Sequence, residues 1–121
     1  MPSITETRHA GEFLLGEWDA IYSQDAAILF NGEGALLPGA VLGKRTADGK
    51  YVALNPGGSG GAEVAAGILF EAADSSTGDA VCVVVARDAM VNGKLLDWGA
   101  ASAPQIVTAT AELLAAGIKV I

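Results

Sequence analysis

Short apolar runs, each ended by turn-forming residues, recur along this sequence and limit the folds it can adopt. The run 27–30 is stopped by Asn31-Gly32, and the two most hydrophobic runs, 64–70 and 80–86, are joined by the polar turn 74–79. Their β-branched residues favour buried strands, and the turn residues between them favour tight connections. The pattern predicts a mostly β fold of the α+β kind, built from short strands and hairpins.

Two Asx-Gly pairs lie between short strand-like runs, and each predicts a β-hairpin. They are Asp48-Gly49 and Asn92-Gly93. The two central residues of such a turn must tolerate positive φ, which Asn, Asp and Gly do. The segment 55–61, rich in glycine, predicts a flexible loop.

One helix is predicted near the C-terminus. Ser102 and Gln105 form a capping-box pattern, and Pro104 falls in the first turn, where a missing N–H is tolerated. Gly117 is a candidate for the C-terminal cap, and residues 118–121 could close the chain as a strand. Between the caps, apolar side chains recur at helical spacing, at Ile106, Ala109, Leu113 and Ala116.

The first 17 residues differ in character from the rest of this 121-residue chain. Residues 1–11 are mostly polar and show no apolar periodicity, so we predict an extended N-terminal arm at 1–17 and a β-rich domain at 18–121. The apolar patch Phe13-Leu14-Leu15, flanked by Glu12, is where we expect the arm to dock.

The charge and the single cysteine exclude several classes of function. Fourteen acidic residues against seven basic ones give a net charge of -7, and Lys44-Arg45 is the only basic pair. Nucleic-acid binding needs clustered cations, so we expect no nucleic-acid partner. Because no signal peptide or membrane-spanning run is visible, we expect synthesis in the cytoplasm and no membrane partner. Cys82 cannot form an intrachain disulfide and is expected to be buried.

No set of residues predicts catalysis or metal binding. The segment 57–61 matches the G-x-S-x-G motif around Ser59, but that motif needs a preceding strand, a following helix and a downstream histidine. The only histidine, His9, lies upstream and cannot form a zinc site alone. The acidic turn 74–79 lacks the spacing of a calcium loop. We therefore expect no enzyme activity, no cofactor and no metal.

Several segments, taken in order, resemble the head decoration proteins of lambda-like tailed phages. Each segment is short and made of common residues, so the resemblance depends on their order and spacing along nearly the whole chain. At one position the chain departs from that family, with Ser23-Gln24 where members often carry Ser-Arg. The segments are 11–15, 37–44, 48–51, 66–69, 74–79 and 116–120.

This resemblance implies a β-clip-like small barrel with a small helical part and no catalysis. It also implies homotrimers at the three-fold and quasi-three-fold points of the expanded capsid, on the outer surface of the phage head, where they stabilise the shell against DNA pressure. The arm is expected to order on the major capsid protein, through the candidate capsid-binding residues Ile4, Glu12, Phe13, Leu14 and Leu15.

Two other functions remain open from the sequence. A generic β-rich ligand-binding module, for carbohydrate or peptide, would need exposed aromatic side chains in a groove. The seven aromatic residues here (two Trp, two Tyr and three Phe) lie mostly inside apolar runs. A small hydrolase using Ser59 would need the motif context described above.

Overall fold

The computed structural model describes residues 10–17 and 23–121. Within these ranges it has ten strands, a short 3-10 helix and one complete α-helix, so the prediction of a mostly β fold with a C-terminal helix is confirmed. The elements are β1 Leu14–Glu17, β2 Gln24–Leu29, β3 Ala35–Leu36, β4 Val41–Lys44, β5 Tyr51–Ala53, β6 Ala65–Leu69, β7 Ala73–Asp74, β8 Ala80–Val85, β9 Ala89–Val91, the 3-10 helix Gly93–Leu95, α1 Ala103–Ala115 and β10 Ile118–Val120.

Five strands form a closed barrel in the order β2-β5-β4-β6-β8. β2 pairs antiparallel with β8 along its whole length, from Gln24 opposite Val85 to Leu29 opposite Ala80, and meets β5 at Leu29 and Tyr51. Since side chains alternate between the two faces of a strand, every second residue can point into the barrel. Its interior is filled by Leu29, Ala40, Leu42, Tyr51, Leu69, Cys82 and Val84, which confirms the expected burial of the cysteine.

A three-stranded sheet lies beside the barrel, with β9 in its centre. β1 pairs antiparallel with β9, and β10 pairs parallel with it. Helix α1 packs against β6 of the barrel and β10 of the sheet. The second core therefore lies between helix, sheet and barrel, and contains Phe13, Val41, Leu54, Ala65, Ile68, Val85, Ala89, Val91, Leu96, Ala109, Leu113 and Ile118.

The Asp48-Gly49 pair lies in a β-hairpin, as predicted. β4 and β5 run antiparallel, and the connecting loop is closed where Arg45 N–H donates to the Lys50 carbonyl at 2.8 Å. Gly49 has φ +74°, a conformation that glycine adopts without strain. Four residues, 46–49, form this loop, which is longer than the two-residue turn that the pair alone suggests.

The prediction of a hairpin at Asn92-Gly93 is wrong. The Asn92 side chain accepts a hydrogen bond from Lys94 N–H at 3.0 Å, which caps the short 3-10 helix. β9 already has β1 on one side and β10 on the other, so no edge is left for a hairpin partner. The chain instead turns inward, and Leu96 is buried in the core.

The ends of α1 follow the local sequence signals. Gln105 Oε1 accepts a hydrogen bond from Ser102 N–H at 2.8 Å, as a capping box requires. At the other end Gly117 has φ +96° and donates its N–H to the Leu114 carbonyl at 2.9 Å. Of the periodic apolar residues, Ala109 and Leu113 are fully buried.

The glycine-rich segment 55–61 lies in the loop between β5 and β6, as predicted, and backbone hydrogen bonds hold it. Asn55 N–H donates to the Ala62 carbonyl at 2.8 Å, and Thr46 N–H donates to the Gly60 carbonyl at 2.9 Å. Gly61 has φ +106°, and a Cβ built on it would lie 2.0 Å from the Lys44 carbonyl oxygen. Glycine is needed there because another backbone approaches closely.

Candidate functional site

Residues 10–17 are attached to the domain through both backbone and side chain. Gly11 N–H donates to the Phe70 carbonyl at 2.9 Å, and Asn92 N–H donates to the Phe13 carbonyl at 2.8 Å. The Phe13 side chain is completely buried in the core. Moving this segment away from the domain would empty the Phe13 position, whereas the predicted boundary after residue 17 stays a prediction.

The five candidate capsid-binding residues are not equally placed. Ile4 lies outside the described residues. Phe13 is buried in its own domain and cannot contact a partner at the same time, while Leu14 is half-buried against the core. Glu12 is exposed and Leu15 is 55% exposed, so their side chains can reach a second molecule.

Leu15 lines an open groove on the outer face of the three-stranded sheet. The groove has a volume of about 560 Å³, and Met90 contributes a second apolar side chain to its lining. Glu17, Asp88 and Lys119 add charges to the same lining. β1 is an edge strand of this sheet, and an edge strand can accept a further strand through main-chain hydrogen bonds. The arrangement suits binding of an extended, partly apolar segment.

The end of β1 is fixed to the start of β2 by side-chain hydrogen bonds. Gln24 Nε2 donates to both carboxylate oxygens of Glu17 at 2.9 Å, and the Ser23 hydroxyl also donates to that carboxylate. Gln24 thus uses its side-chain amide for a contact within the chain. Glu17 is held in place and is not a free carboxylate of the groove.

Among the ion pairs on the barrel, two lie toward opposite ends of the β2–β8 pair. Arg87 binds the Asp25 carboxylate through both guanidinium nitrogens at 3.0 and 2.6 Å, and this contact lowers the pKa of Asp25. Lys50 Nζ lies 2.6 Å from Asp79 Oδ2 and lowers the pKa of Asp79 in the same way. Both pairs neutralise charge within the chain.

Comparison with known families identifies the family of the chain. The family model for bacteriophage lambda head decoration protein D matches residues 3–118. The chain belongs to this family. Head decoration proteins are structural components of the phage capsid, so the chain has a structural role on the virion. A search of curated proteins returned no match.

The described part of this head decoration protein holds no constellation typical of catalysis. Ser59 is followed by strand β6 where the nucleophile motif needs a helix. Cys82 is 2% exposed, and its burial raises the pKa of the thiol. Within residues 10–17 and 23–121, no three His, Cys, Asp or Glu side chains lie close enough to hold a metal ion.

Two further observations concern ligands and membranes. The aromatic side chains in the described ranges are buried or half-buried: Phe13, Phe30, Tyr51, Phe70 and Trp98. No helix in the same ranges has the length and apolarity needed to cross a membrane.

The structure also shows two apolar surfaces that the sequence analysis did not identify in this decoration protein. The helix face consists of Val107, Ala111 and Leu114 on the solvent side of α1, and the ribbon face consists of Ala26, Ile28, Val81 and Val83 on the outside of β2 and β8. A signal for the helix face was available, because α1 contains only one charged residue, Glu112.

Proposed function

We propose that this chain binds as trimers at the three-fold and quasi-three-fold points of the expanded phage head and stabilises the shell against the pressure of packaged DNA. Its partners are the major capsid protein and further copies of itself. The observation that carries the proposal is the family match over residues 3–118, which spans nearly the whole chain.

The capsid contact is proposed at β1, at the groove beside it and at the arm 1–9 that precedes it. Leu15 and Met90 supply apolar contact, and the edge of β1 that is unpaired among the described strands supplies main-chain hydrogen bonds. Strand addition depends little on the partner's side chains, which suits a shell whose subunits occupy slightly different environments.

Stabilisation follows from binding one state of the shell. A protein that binds only the expanded lattice lowers the free energy of that lattice by mass action. Several contacts from one trimer act together, so individually weak contacts give strong overall binding. The net charge of -7 favours solubility of the protein on the outside of the head. It also disfavours DNA binding, because the phosphates of DNA carry the same sign of charge.

The test uses heads of the phage that encodes this chain, prepared without it. Purified protein is added to expanded and to unexpanded heads, and co-sedimentation measures the copies bound per head. DNA release is then followed during heating with a chelator. We expect binding to expanded heads only and slower DNA release from decorated heads. Undecorated heads that keep their DNA as well as decorated ones would count against the proposal.

A matched pair of variants locates the contact. Leu15→Glu places a charge in the groove and should weaken head binding about tenfold or more, equivalent to about 1.4 kcal/mol. Leu37→Glu changes a residue that is 45% exposed and outside the groove, and should bind like the unmodified chain. If both variants bind heads equally well, the capsid contact does not lie at β1.

A further inference from the structure

The groove beside β1 contains a carboxylate that is open to a partner. Asp88 belongs to the lining of this groove and is half-buried. Among the residues that the structure describes, its carboxylate takes part in no hydrogen bond and no ion pair. A half-buried carboxylate has lost part of its hydration, so a cation that reaches it gains a charge-assisted hydrogen bond at little further cost.

The other carboxylate of the groove, Glu17, contributes charge but has its oxygens occupied. Gln24 Nε2 donates to both of them at 2.9 Å, and the Ser23 hydroxyl donates to the same group. These donors are neutral, so they satisfy the oxygens of Glu17 without cancelling its charge. The lining therefore holds two carboxylates, those of Glu17 and Asp88, against the single ammonium of Lys119, and its local charge is negative.

A glycine leaves room beside the Asp88 carboxylate. Gly117 belongs to the same lining, and a Cβ built on it would lie 3.4 Å from Asp88 Oδ1. A side chain at position 117 would extend from that point and crowd the carboxylate. With glycine there, the carboxylate remains accessible from the groove.

The apolar part of the groove lies next to this charge. Leu15 and Met90 are 55% and 39% exposed and belong to the same lining as Asp88. Lysine and arginine have an apolar stem that can lie on such side chains and a cationic head that can bind a carboxylate. An acidic side chain would be repelled by the local charge, and a purely apolar one would leave Asp88 without a partner.

We propose that Asp88 selects a segment of the major capsid protein that places a lysine or arginine in the groove. The stem of that side chain lies on Leu15 and Met90, and its cationic head binds the Asp88 carboxylate. This inference rests on the proposed function, because it takes the capsid protein as the partner, and it adds the chemistry that the groove recognises. The net charge of -7 also favours the approach of a basic partner surface.

Asp88→Asn tests the charge without changing the shape of the groove. Asp88 has φ +50°, a conformation that asparagine also tolerates, so the melting temperature should stay nearly unchanged. Co-sedimentation with expanded heads should show binding weakened about tenfold at about 0.1 M salt. The difference should shrink at about 1 M salt, where charges are screened within about 3 Å. Glu71→Gln, which removes an exposed carboxylate outside the groove, is the matched control and should bind like the unmodified chain.

Lys119→Met gives the sign of the interaction. Lys119 lies on β10 opposite Met90, and its ammonium competes with the incoming cation. Its removal should leave head binding unchanged or strengthen it. Weaker binding by Lys119→Met together with tighter binding by Asp88→Asn would mean that the groove takes an acidic segment, which overturns the inference. Coupled losses of stability in the two variants, with head binding unaffected, would make Lys119 the partner of Asp88 and overturn it as well.

These measurements separate the inference from the proposed function. An Asp88→Asn protein that binds expanded heads as tightly as the unmodified chain at both salt concentrations overturns the inference and leaves the capsid role intact. An unmodified chain that does not bind expanded heads contradicts the proposed function, and the inference is then overturned with it.

Discussion

Glu112 Oε1 accepts a hydrogen bond from the backbone N–H of Ala65 at 3.1 Å, so the only charged side chain of α1 binds the first residue of β6. Ala65 is buried, and it lies where the pairing of β4 with β6 shifts register. A register shift leaves backbone groups without a ladder partner, and a side chain must then satisfy them. The carboxylate therefore connects the helix to the barrel.

Removing this carboxylate should destabilise the fold. Glu112→Ala leaves the buried N–H without an acceptor, and we expect a loss of about 1–2 kcal/mol in the free energy of unfolding. Glu112→Gln keeps an acceptor oxygen and should retain most of the stability. Urea denaturation of the three proteins gives the comparison. If alanine and glutamine are equally tolerated, the hydrogen bond contributes little.

Replacing Phe13 and Leu15 by alanine should have different effects on stability. Phe13→Ala empties a fully buried position and should cost about 3–5 kcal/mol of stability, which thermal denaturation measures. Leu15→Ala should change stability by less than about 0.5 kcal/mol and reduce head binding. Deletion of residues 2–9 should also leave the melting temperature nearly unchanged, because Phe13 stays in place. A Phe13→Ala protein as stable as the unmodified chain would contradict the placement of Phe13 in the core.

Two residues of the glycine-rich loop, Gly61 and Ser59, should differ in how much an alanine substitution costs in stability. Gly61→Ala forces a Cβ against the Lys44 carbonyl at positive φ, and we expect a loss of about 1–3 kcal/mol. Ser59→Ala should stay within about 0.5 kcal/mol of the unmodified chain. Both are measured by chemical denaturation. A tolerated Gly61→Ala would show that the loop can move away from β4.

The pH dependence of the Asp25–Arg87 pair has a definite sign. Arg87 holds the pKa of Asp25 below its ordinary value of 3.8, so the ionised carboxylate stabilises the fold above that pH. This contribution disappears as the pH falls through the lowered pKa of the folded state. It should be small, because the Asp25 side chain is 42% exposed and screened by solvent.

Carbon-detected NMR of the Asp25 carboxyl group measures this titration directly. In Arg87→Gln the midpoint should move upward, because the guanidinium no longer favours the charged form. Asp74, whose pKa is lowered by Ser76, serves as an internal control and should not move. An Asp25 midpoint that is the same in both proteins would show that Arg87 does not set it.

Much of the local structure could be predicted because its causes are local. The capping box of Ser102 and Gln105 and the turn at Gly49 depend on residues a few positions apart, whose allowed φ and ψ values are fixed by their own chemistry. The sequence also indicated the buried strand around Cys82, since β-branched residues are enriched in strands. The family resemblance, confirmed over residues 3–118, added the structural role on the capsid.

The tertiary structure decided which segments meet, and here local rules were insufficient. Asn92-Gly93 has the composition of a hairpin, but β9 takes its partners from β1 and β10, which are distant in sequence. Phe13 lies in a segment that the sequence predicts to be an N-terminal arm. Its ring nevertheless fills a space that the barrel, sheet and helix form together. The helix face and the ribbon face likewise exist only because the fold leaves one side of each element uncovered. By itself the sequence determined the elements and their caps, whereas burial and pairing depend on long-range packing, which a reading of neighbouring residues cannot supply.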